Sequence, residues 1–212
     1  TSVAIHGNTI VVGAGLDNTD KGGNSGSAYV YTRDGSGTSA TTSAKWTQQA
    51  KLVAEDGAAD DSFGHTSVAI HGDTIVIGAF WDDTDNGDYS GSAYVYTRDG
   101  TGTSAKWTQQ YPRRYRYGHS RPSSSHANDN FGVSVAIHGD TIIVGAYWDG
   151  DDTDNGTNSG SAYVYTRGGT GKSAKSAYVY TRDGSGTSAN PVQVDTAGEA
   201  RRRRWCCIRP LW

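Results

Sequence analysis

Ser67-Val-Ala-Ile-His-Gly-Asp-Thr-Ile-Val-Ile-Gly-Ala79 is the stretch that decides the fold, because near-copies of it stand at Ser2 to Ala14 and at Ser134 to Ala146. The copies begin 65 and 67 residues apart. Repetition at such a period marks a chain built from like units, each unable to bury its own apolar faces and therefore stacked on its neighbours. Inside each copy two β-rich runs flank His-Gly-Asp or His-Gly-Asn, and glycine beside Asp or Asn accepts the positive φ of a tight hairpin. The second run, Thr74-Ile-Val-Ile-Gly-Ala79, is apolar at nearly every position, as a strand covered on both faces must be.

After an acidic loop, Ser92-Ala-Tyr-Val-Tyr-Thr-Arg98 alternates Tyr94 and Tyr96 on one face with Ala93, Val95 and Thr97 on the other. A Gly-rich loop and a fourth run follow, the latter complete in the first copy as Trp46-Thr-Gln-Gln-Ala-Lys-Leu-Val-Ala54. Helical periodicity is absent over any useful length, and 29 glycines with 34% hydrophobic content fit many turns and thin layers. A four-stranded sheet repeated radially is a propeller blade. The expected fold is all-β, a partial β-propeller of about three four-stranded antiparallel blades. Trp46, Trp107 and the Tyr-Val-Tyr runs read as packing between blades.

Phe63-Gly64 stands ahead of Ser67-Val-Ala-Ile70, Phe131-Gly132 stands ahead of Ser134, and Gly-Ala closes the second strand of each copy. With the recurrent Gly-Ser-Ala-Tyr-Val-Tyr, these features over residues 1–110 and 128–167 resemble the FG-GAP repeat family, whose integrin α-subunit members form a propeller. The resemblance implies an extracellular or cell-surface domain used for adhesion or recognition, with several blades held by calcium. Two departures bear on the last point. The place of the integrin-type calcium loop, between the first two strands, holds only the tight His-Gly turn. The proline that often follows Gly-Ala is replaced by Gly15, Phe80 and Tyr147. The copies therefore resemble a branch of the family without that loop.

The organisation expected is one repeat over 1–64, a second over 65–110, an aberrant basic insertion over 111–127, a third repeat over 128–189 and an aberrant basic tail over 190–212. Thr1 aligns with Thr66 and the chain has no methionine, so it reads as a fragment of a longer propeller. In the third repeat, Ser161-Ala-Tyr-Val-Tyr-Thr-Arg167 is duplicated at Ser176 to Arg182, where a Trp-Thr-Gln-Gln strand is expected. All four prolines, both cysteines and nine of the thirteen arginines fall in the insertion and the tail. Out-of-frame translation explains such a shift in composition, and a genuine basic insertion and tail is the alternative. On the first explanation the chain is a piece of a truncated or frame-shifted gene product without a function of its own.

The net charge of −3 conceals an acidic body, in which the repeats carry twenty Asp or Glu against ten Lys or Arg. That balance argues against nucleic acid as a partner. No apolar run approaches the length of a membrane span. The repeats hold no cysteine, so disulfides do not define them. Partners expected are a protein or glycan ligand and, because three blades cannot close a ring, further copies of the chain through the open blade faces. No nucleophile elbow, paired Cys/His spacing or phosphate loop occurs, so no catalytic residue is expected. A polysaccharide-active propeller is the enzymatic rival, and it would need two carboxylates facing one pocket.

The loops between second and third strands carry the one candidate for chemistry. A calcium loop sets oxygens at alternate positions around a sixth-position glycine. Counting from Asp82 gives Asp82, Thr84, Asn86, Gly87 and Ser90, and counting from Asp151 gives Asp151, Thr153, Asn155, Gly156 and Ser159. Calcium is thus the cofactor these loops could take, against the plain alternative of a solvated turn. In the first copy the fifth position is Lys21, which repels a cation. His6, His71 and His138 recur in every copy and read as part of the blade, not as one active site.

Overall fold

A computed structural model of the chain describes residues 1–33, 45–84, 87–100, 105–115, 128–148, 160–167, 174–182 and 189–195. These residues form strands and turns only. The first antiparallel sheet orders β1 (Val3–His6), β2 (Thr9–Ala14), β3 (Ser27–Arg33) and β4 (Trp46–Leu52). The second repeats it with β5 (Val68–His71), β6 (Thr74–Ala79), β7 (Ser92–Asp99) and β8 (Lys106–Tyr115). The third runs β9 (Phe131–His138), β10 (Thr141–Ala146), β11 (Ser161–Arg167), β12 (Ala174–Arg182) and β13 (Ala189–Asp195).

The all-β expectation holds, and the third sheet corrects the four-strand count, since it has five strands. The duplicated Ser-Ala-Tyr-Val-Tyr run takes the fourth place as β12, and the start of the tail pairs with it as β13. The ladder of β8 likewise runs into the basic insertion, with Arg114 opposite Tyr94 and Tyr115 opposite Ala93. Extended backbone beside a free edge finds hydrogen bonds there, whatever the origin of its side chains.

Each His-Gly pair makes the hairpin that its residues dictate. His71 pairs with Thr74 across a two-residue turn in which Gly72 has φ +56°. Arg98 on β7 closes the turn by an ion pair to Asp73 and a backbone bond to its carbonyl at 2.9 Å. The three turns lie in a row, with ring centroids 4.7 Å apart for His6 and His71 and 4.8 Å for His71 and His138. The repeated histidines thus belong to the stacking of β1, β5 and β9.

Burial along three nearly identical strands reveals how the sheets stack. In β6 every residue is buried, whereas in β2 and β10 only alternate residues are. The buried set in β2 includes Thr9, Val11 and Gly13; in β10 it is Ile142, Val144 and Ala146, the opposite face. A middle sheet covered on both sides and two outer sheets each covered on one account for this pattern. One apolar cluster joins Val11, Ala28 and Val30 of the first sheet to Ile75, Ile77, Tyr94 and Tyr96 of the second. Another joins Val76, Ala93 and Val95 of the second to Ile142, Val144, Tyr163 and Tyr165 of the third. Trp107 is buried in the first cluster as expected, while Trp46, on the uncovered side of the first sheet, is partly exposed.

The Phe-Gly pairs are the wedges of this stack. Phe63 is fully buried, with ring centroids 5.4 Å from Tyr94 and 6.1 Å from Tyr96, both edge-on. Phe131 repeats the arrangement at 5.3 Å from Tyr163 and 6.4 Å from Tyr165. Gly64, at φ +76°, lies against the Cα of Gly13 on one side and donates to the Gly78 carbonyl at 2.9 Å on the other. Its own carbonyl accepts from Ser2 Oγ at 2.9 Å, and the Gly132 carbonyl accepts from Ser67 Oγ at 2.7 Å. Glycine is required because a Cβ on Gly64 would come 2.9 Å from the Ser27 carbonyl oxygen.

Candidate functional site

The acidic loops between second and third strands close by the same bonds in the first two sheets. Asp17 and Asp82 each donate an N–H to the alanine that ends the preceding strand, at 3.0 and 3.2 Å, and each carbonyl accepts from Gly26 or Gly91 at 3.0 or 2.9 Å. Thr19 Oγ1 lies 2.6 Å from Ser25 Oγ, and Thr84 Oγ1 lies 2.6 Å from Ser90 Oγ. The loop tips are pinned by asparagine and aspartate side chains, since Asn24 N–H donates to Asn18 Oδ1 at 2.9 Å and Tyr89 N–H to Asp83 Oδ1 at 2.8 Å.

Of the residues whose spacing pointed to calcium, Thr84 and Ser90 are thus brought together. Asp82 is buried and accepts from the Tyr94 hydroxyl at 2.9 Å. Asn86, Asp151, Thr153, Asn155 and Ser159 lie outside the described residues. Among the described residues no group of three or more His, Cys, Asp or Glu is placed to hold a metal ion. The first loop, with Lys21 at the fifth position, still pairs its two hydroxyls, and Lys21 Nζ turns out to the Glu55 carbonyl at 2.5 Å.

What these loops do hold is the chain entering the next sheet. Gly23, Asn24 and Ser25 carbonyls accept from Asp60, Ser62 and Phe63 at 2.9, 3.1 and 3.1 Å. Asp88, Tyr89 and Ser90 carbonyls accept from Asn128, Asn130 and Phe131 at 2.8, 3.1 and 3.0 Å. The acidic loop is therefore the clamp on each Phe-Gly wedge. Sequence reasoning missed this role, since partners 37 and more residues apart leave no local signal. Glu55, Asp56, Asp60 and Asp61 lie where the chain turns from the first sheet to the second, with Asp61 buried and accepting from Ala58 N–H at 2.6 Å.

The FG-GAP repeat family matches residues 1–31, 46–96 and 121–165. The chain belongs to the FG-GAP repeat family. No curated protein matches it. As an FG-GAP protein it carries a β-propeller-like domain, and the family is in general one of non-enzymatic scaffolds. The three matched regions each contain the Gly-Ala and Tyr-Val-Tyr strands, and two contain a Phe-Gly wedge. Among the described residues no helix is long and apolar enough to cross a membrane.

The loop edge of this FG-GAP stack also displays aromatic side chains. Trp81 and Tyr89 are 39% and 46% exposed, with ring centroids 6.4 Å apart. Trp81 leans on Phe80, and His65 stacks on Phe80 behind it, at 4.9 and 5.9 Å. In the third sheet Tyr147 and Trp148 are 64% and 46% exposed and 5.7 Å apart. One short segment ties the two groups together, because Asn130 N–H donates to the Tyr89 carbonyl at 3.1 Å and the Asp129 carbonyl accepts from Trp148 N–H at 3.3 Å. Trp81 and Trp148 stand one residue beyond the place of the family's proline, which holds the buried Phe80 in the second sheet and the exposed Tyr147 in the third.

Charge in the first loop is organised around Asp17. Its carboxylate accepts from Ser27 Oγ at 2.6 Å and Tyr29 Oη at 2.9 Å, and Lys51 Nζ lies 2.9 Å away. The Ser27 hydroxyl first, then Lys51 and Tyr29, hold its pKa down to about 2. Bonding to Asp17 in turn raises the Lys51 ammonium. A folded pKa below that of the unfolded chain contributes stability that is fully present above about 4 and is lost as pH falls through about 2. Asp17→Asn is therefore expected to lower the thermal midpoint near neutral pH, and the gap from the parent chain should narrow through that acid window. A gap of constant size between pH 7 and pH 2 would remove the carboxylate from the account. On the second sheet Tyr96 sits deeper, its hydroxyl 2.7 Å from the Val53 carbonyl and 3.0 Å from Gln109 Oε1, and burial pushes its pKa up.

Proposed function

We propose that this FG-GAP protein is a non-enzymatic recognition scaffold whose loop edge binds a glycan. The observation that carries the reading is the run of exposed rings, Trp81 and Tyr89 followed by Tyr147 and Trp148, held on adjacent sheets by one hydrogen-bonded segment. Sugar rings present C–H faces that stack on such aromatics, and hydroxyls that pair with nearby polar groups. The exposed carboxylates of Asp83 and Asp88 flank the rings on the second loop. A rigid sheet behind a decorated loop is the usual division between scaffold and site.

Calcium stands outside this reading. Asp82 Oδ2 and the hydroxyls of Thr84 and Ser90 have hydrogen-bond partners within the protein, and the first loop makes the same hydroxyl pair around a lysine. Retention on immobilised neutral polysaccharides and a glycan array, each with and without a chelator, tests both parts. Trp81→Ala is expected to abolish retention, while the chelator leaves it unchanged. Retention that survives Trp81→Ala together with Trp148→Ala would overturn the assignment of the rings. Capture of a protein ligand by the same aromatics, with every glycan silent, would replace the ligand class.

A further inference from the structure

The first strand of each repeat ends on a histidine, and the stacking of the sheets sets the three side by side. His6, His71 and His138 pair with Thr9, Thr74 and Thr141 at the mouths of their hairpins, so each imidazole leaves a fixed position on an edge strand. Ring centroids are 4.7 Å apart between His6 and His71 and 4.8 Å apart between His71 and His138. His6 and His138 are exposed, and His71 is half-buried between them. Among the described residues no hydrogen bond or ion pair engages the three rings.

Two imidazoles that share one metal ion, each with a nitrogen about 2.0–2.1 Å from it, have ring centres about 4.5 Å apart at a right angle and about 5.2 Å apart at a tetrahedral one. Both spacings in the row fall within this interval. The ion must also lie in the plane of each ring, where the nitrogen lone pair points, and rings stacked in parallel planes share no such point. Here the planes are inclined by 47° and 65°, so they intersect. We propose that the row binds a divalent transition-metal ion, copper(II) in preference to nickel or zinc, between His71 and either neighbour.

Imidazole suits these ions, whereas calcium and magnesium take oxygen ligands, and the affinity order of the first-row divalent metals puts copper highest. No third His, Cys, Asp or Glu joins either pair among the described residues. The ion is therefore held by two protein nitrogens with its other positions left to solvent, which makes it exchangeable. Local charge does not oppose it, because Arg98 at the middle turn is paired with Asp73. The site needs only these three histidines. A further repeat on either side would lengthen the row and remove neither pair.

Titration of the full chain with copper(II) sulfate, followed by electron paramagnetic resonance, tests this. Cys206→Ser and Cys207→Ser are present in every sample, because thiolates compete for copper. The spectrum should show splitting from two nitrogens. His71→Ala removes the shared ligand and should weaken binding by about tenfold or more, since losing even a residue that only orients a ligand costs that much. His6→Ala and His138→Ala each leave one pair and should each keep most of the binding, while the two together should match His71→Ala. His71→Gln gives the same comparison if alanine disturbs the turn, with far-ultraviolet circular dichroism reporting the fold. Excess calcium should leave the signal unchanged, and so should His119→Ala with His126→Ala in the insertion. A signal indifferent to both His71 variants, lost with His119 and His126, or displaced by calcium would place the copper elsewhere and overturn the site. Complete loss on His6→Ala alone, or on His138→Ala alone, would overturn the shared role of His71.

Discussion

Phe63→Ala is expected to cost about 3–5 kcal/mol of unfolding free energy and to uncouple the first sheet from the second. The ring is fully buried and makes edge-on contacts with Tyr94 and Tyr96, so its removal takes away both transfer energy and two aromatic pairings. The cavity cannot collapse easily. Phe63 N–H is bonded to the Ser25 carbonyl and Gly64 N–H to the Gly78 carbonyl, which fixes the backbone on both sides of the space. Stability in a stack of repeats is a sum of unit and neighbour terms, so losing one junction should broaden or split the unfolding transition. Denaturant unfolding followed by circular dichroism gives the total loss. Hydrogen exchange should show β2 and β3 losing protection while β10 and β11 keep theirs. Phe63→Leu should recover more than half of the loss, because it refills most of the volume. A cost for Phe63→Ala below about 1 kcal/mol would mean that the wedge is not what joins the sheets.

The legible part of this fold was the part written in local chemistry. The Gly72 turn, the alternation of Tyr94 and Tyr96 with Val95, and the continuous apolar run of β6 each announce their conformation within a few residues. The repeats and the Phe-Gly signature then pointed to blades and to the FG-GAP family, and the match over three regions bears this out. Three things were not legible. The fifth strand of the third sheet comes from a tail whose composition signals no strand, because edge pairing depends on backbone and not on side-chain pattern. The acidic loops read as cation sites or plain turns because Asp, Asn, Thr and Gly serve both purposes. Their bonds to Asp60–Phe63 and Asn128–Phe131 exist only after the sheets stack. The exposure of Trp81, Tyr147 and Trp148 was hidden for a related reason: in isolation, an aromatic residue after an apolar strand looks like one more core residue.

Gly78→Ala should be the other severe substitution, at about 3 kcal/mol, the upper end of what overpacking usually costs. A Cβ at Gly78 would overlap the backbone carbonyl of Gly132, with its carbon only 2.8 Å away, and would crowd Ser67 Oγ. The side chain can rotate away. The carbonyl cannot, because it accepts from that same Ser67 hydroxyl and belongs to the segment gripped by Tyr89 and Ser90. The added methyl must therefore push the third sheet away from the second. Two glycines with different surroundings separate close approach between sheets from backbone conformation. Gly72 has φ +56° and open space around it, so alanine there pays only for the left-handed conformation, about 1–2 kcal/mol, with the stack intact. Gly145 occupies the place of Gly78 in the third sheet, but a Cβ there meets chiefly the movable Ser134 Oγ and no backbone carbon or oxygen closer than 3.9 Å. Gly145→Ala should cost less than about 1 kcal/mol. The order Gly78 above Gly72 above Gly145, read from denaturant midpoints at equal slope, would assign the Gly-Ala motif to close approach between sheets. Equal losses at Gly78 and Gly145 would instead make the glycine a requirement of the strand itself, and the spacing between blades would need another cause.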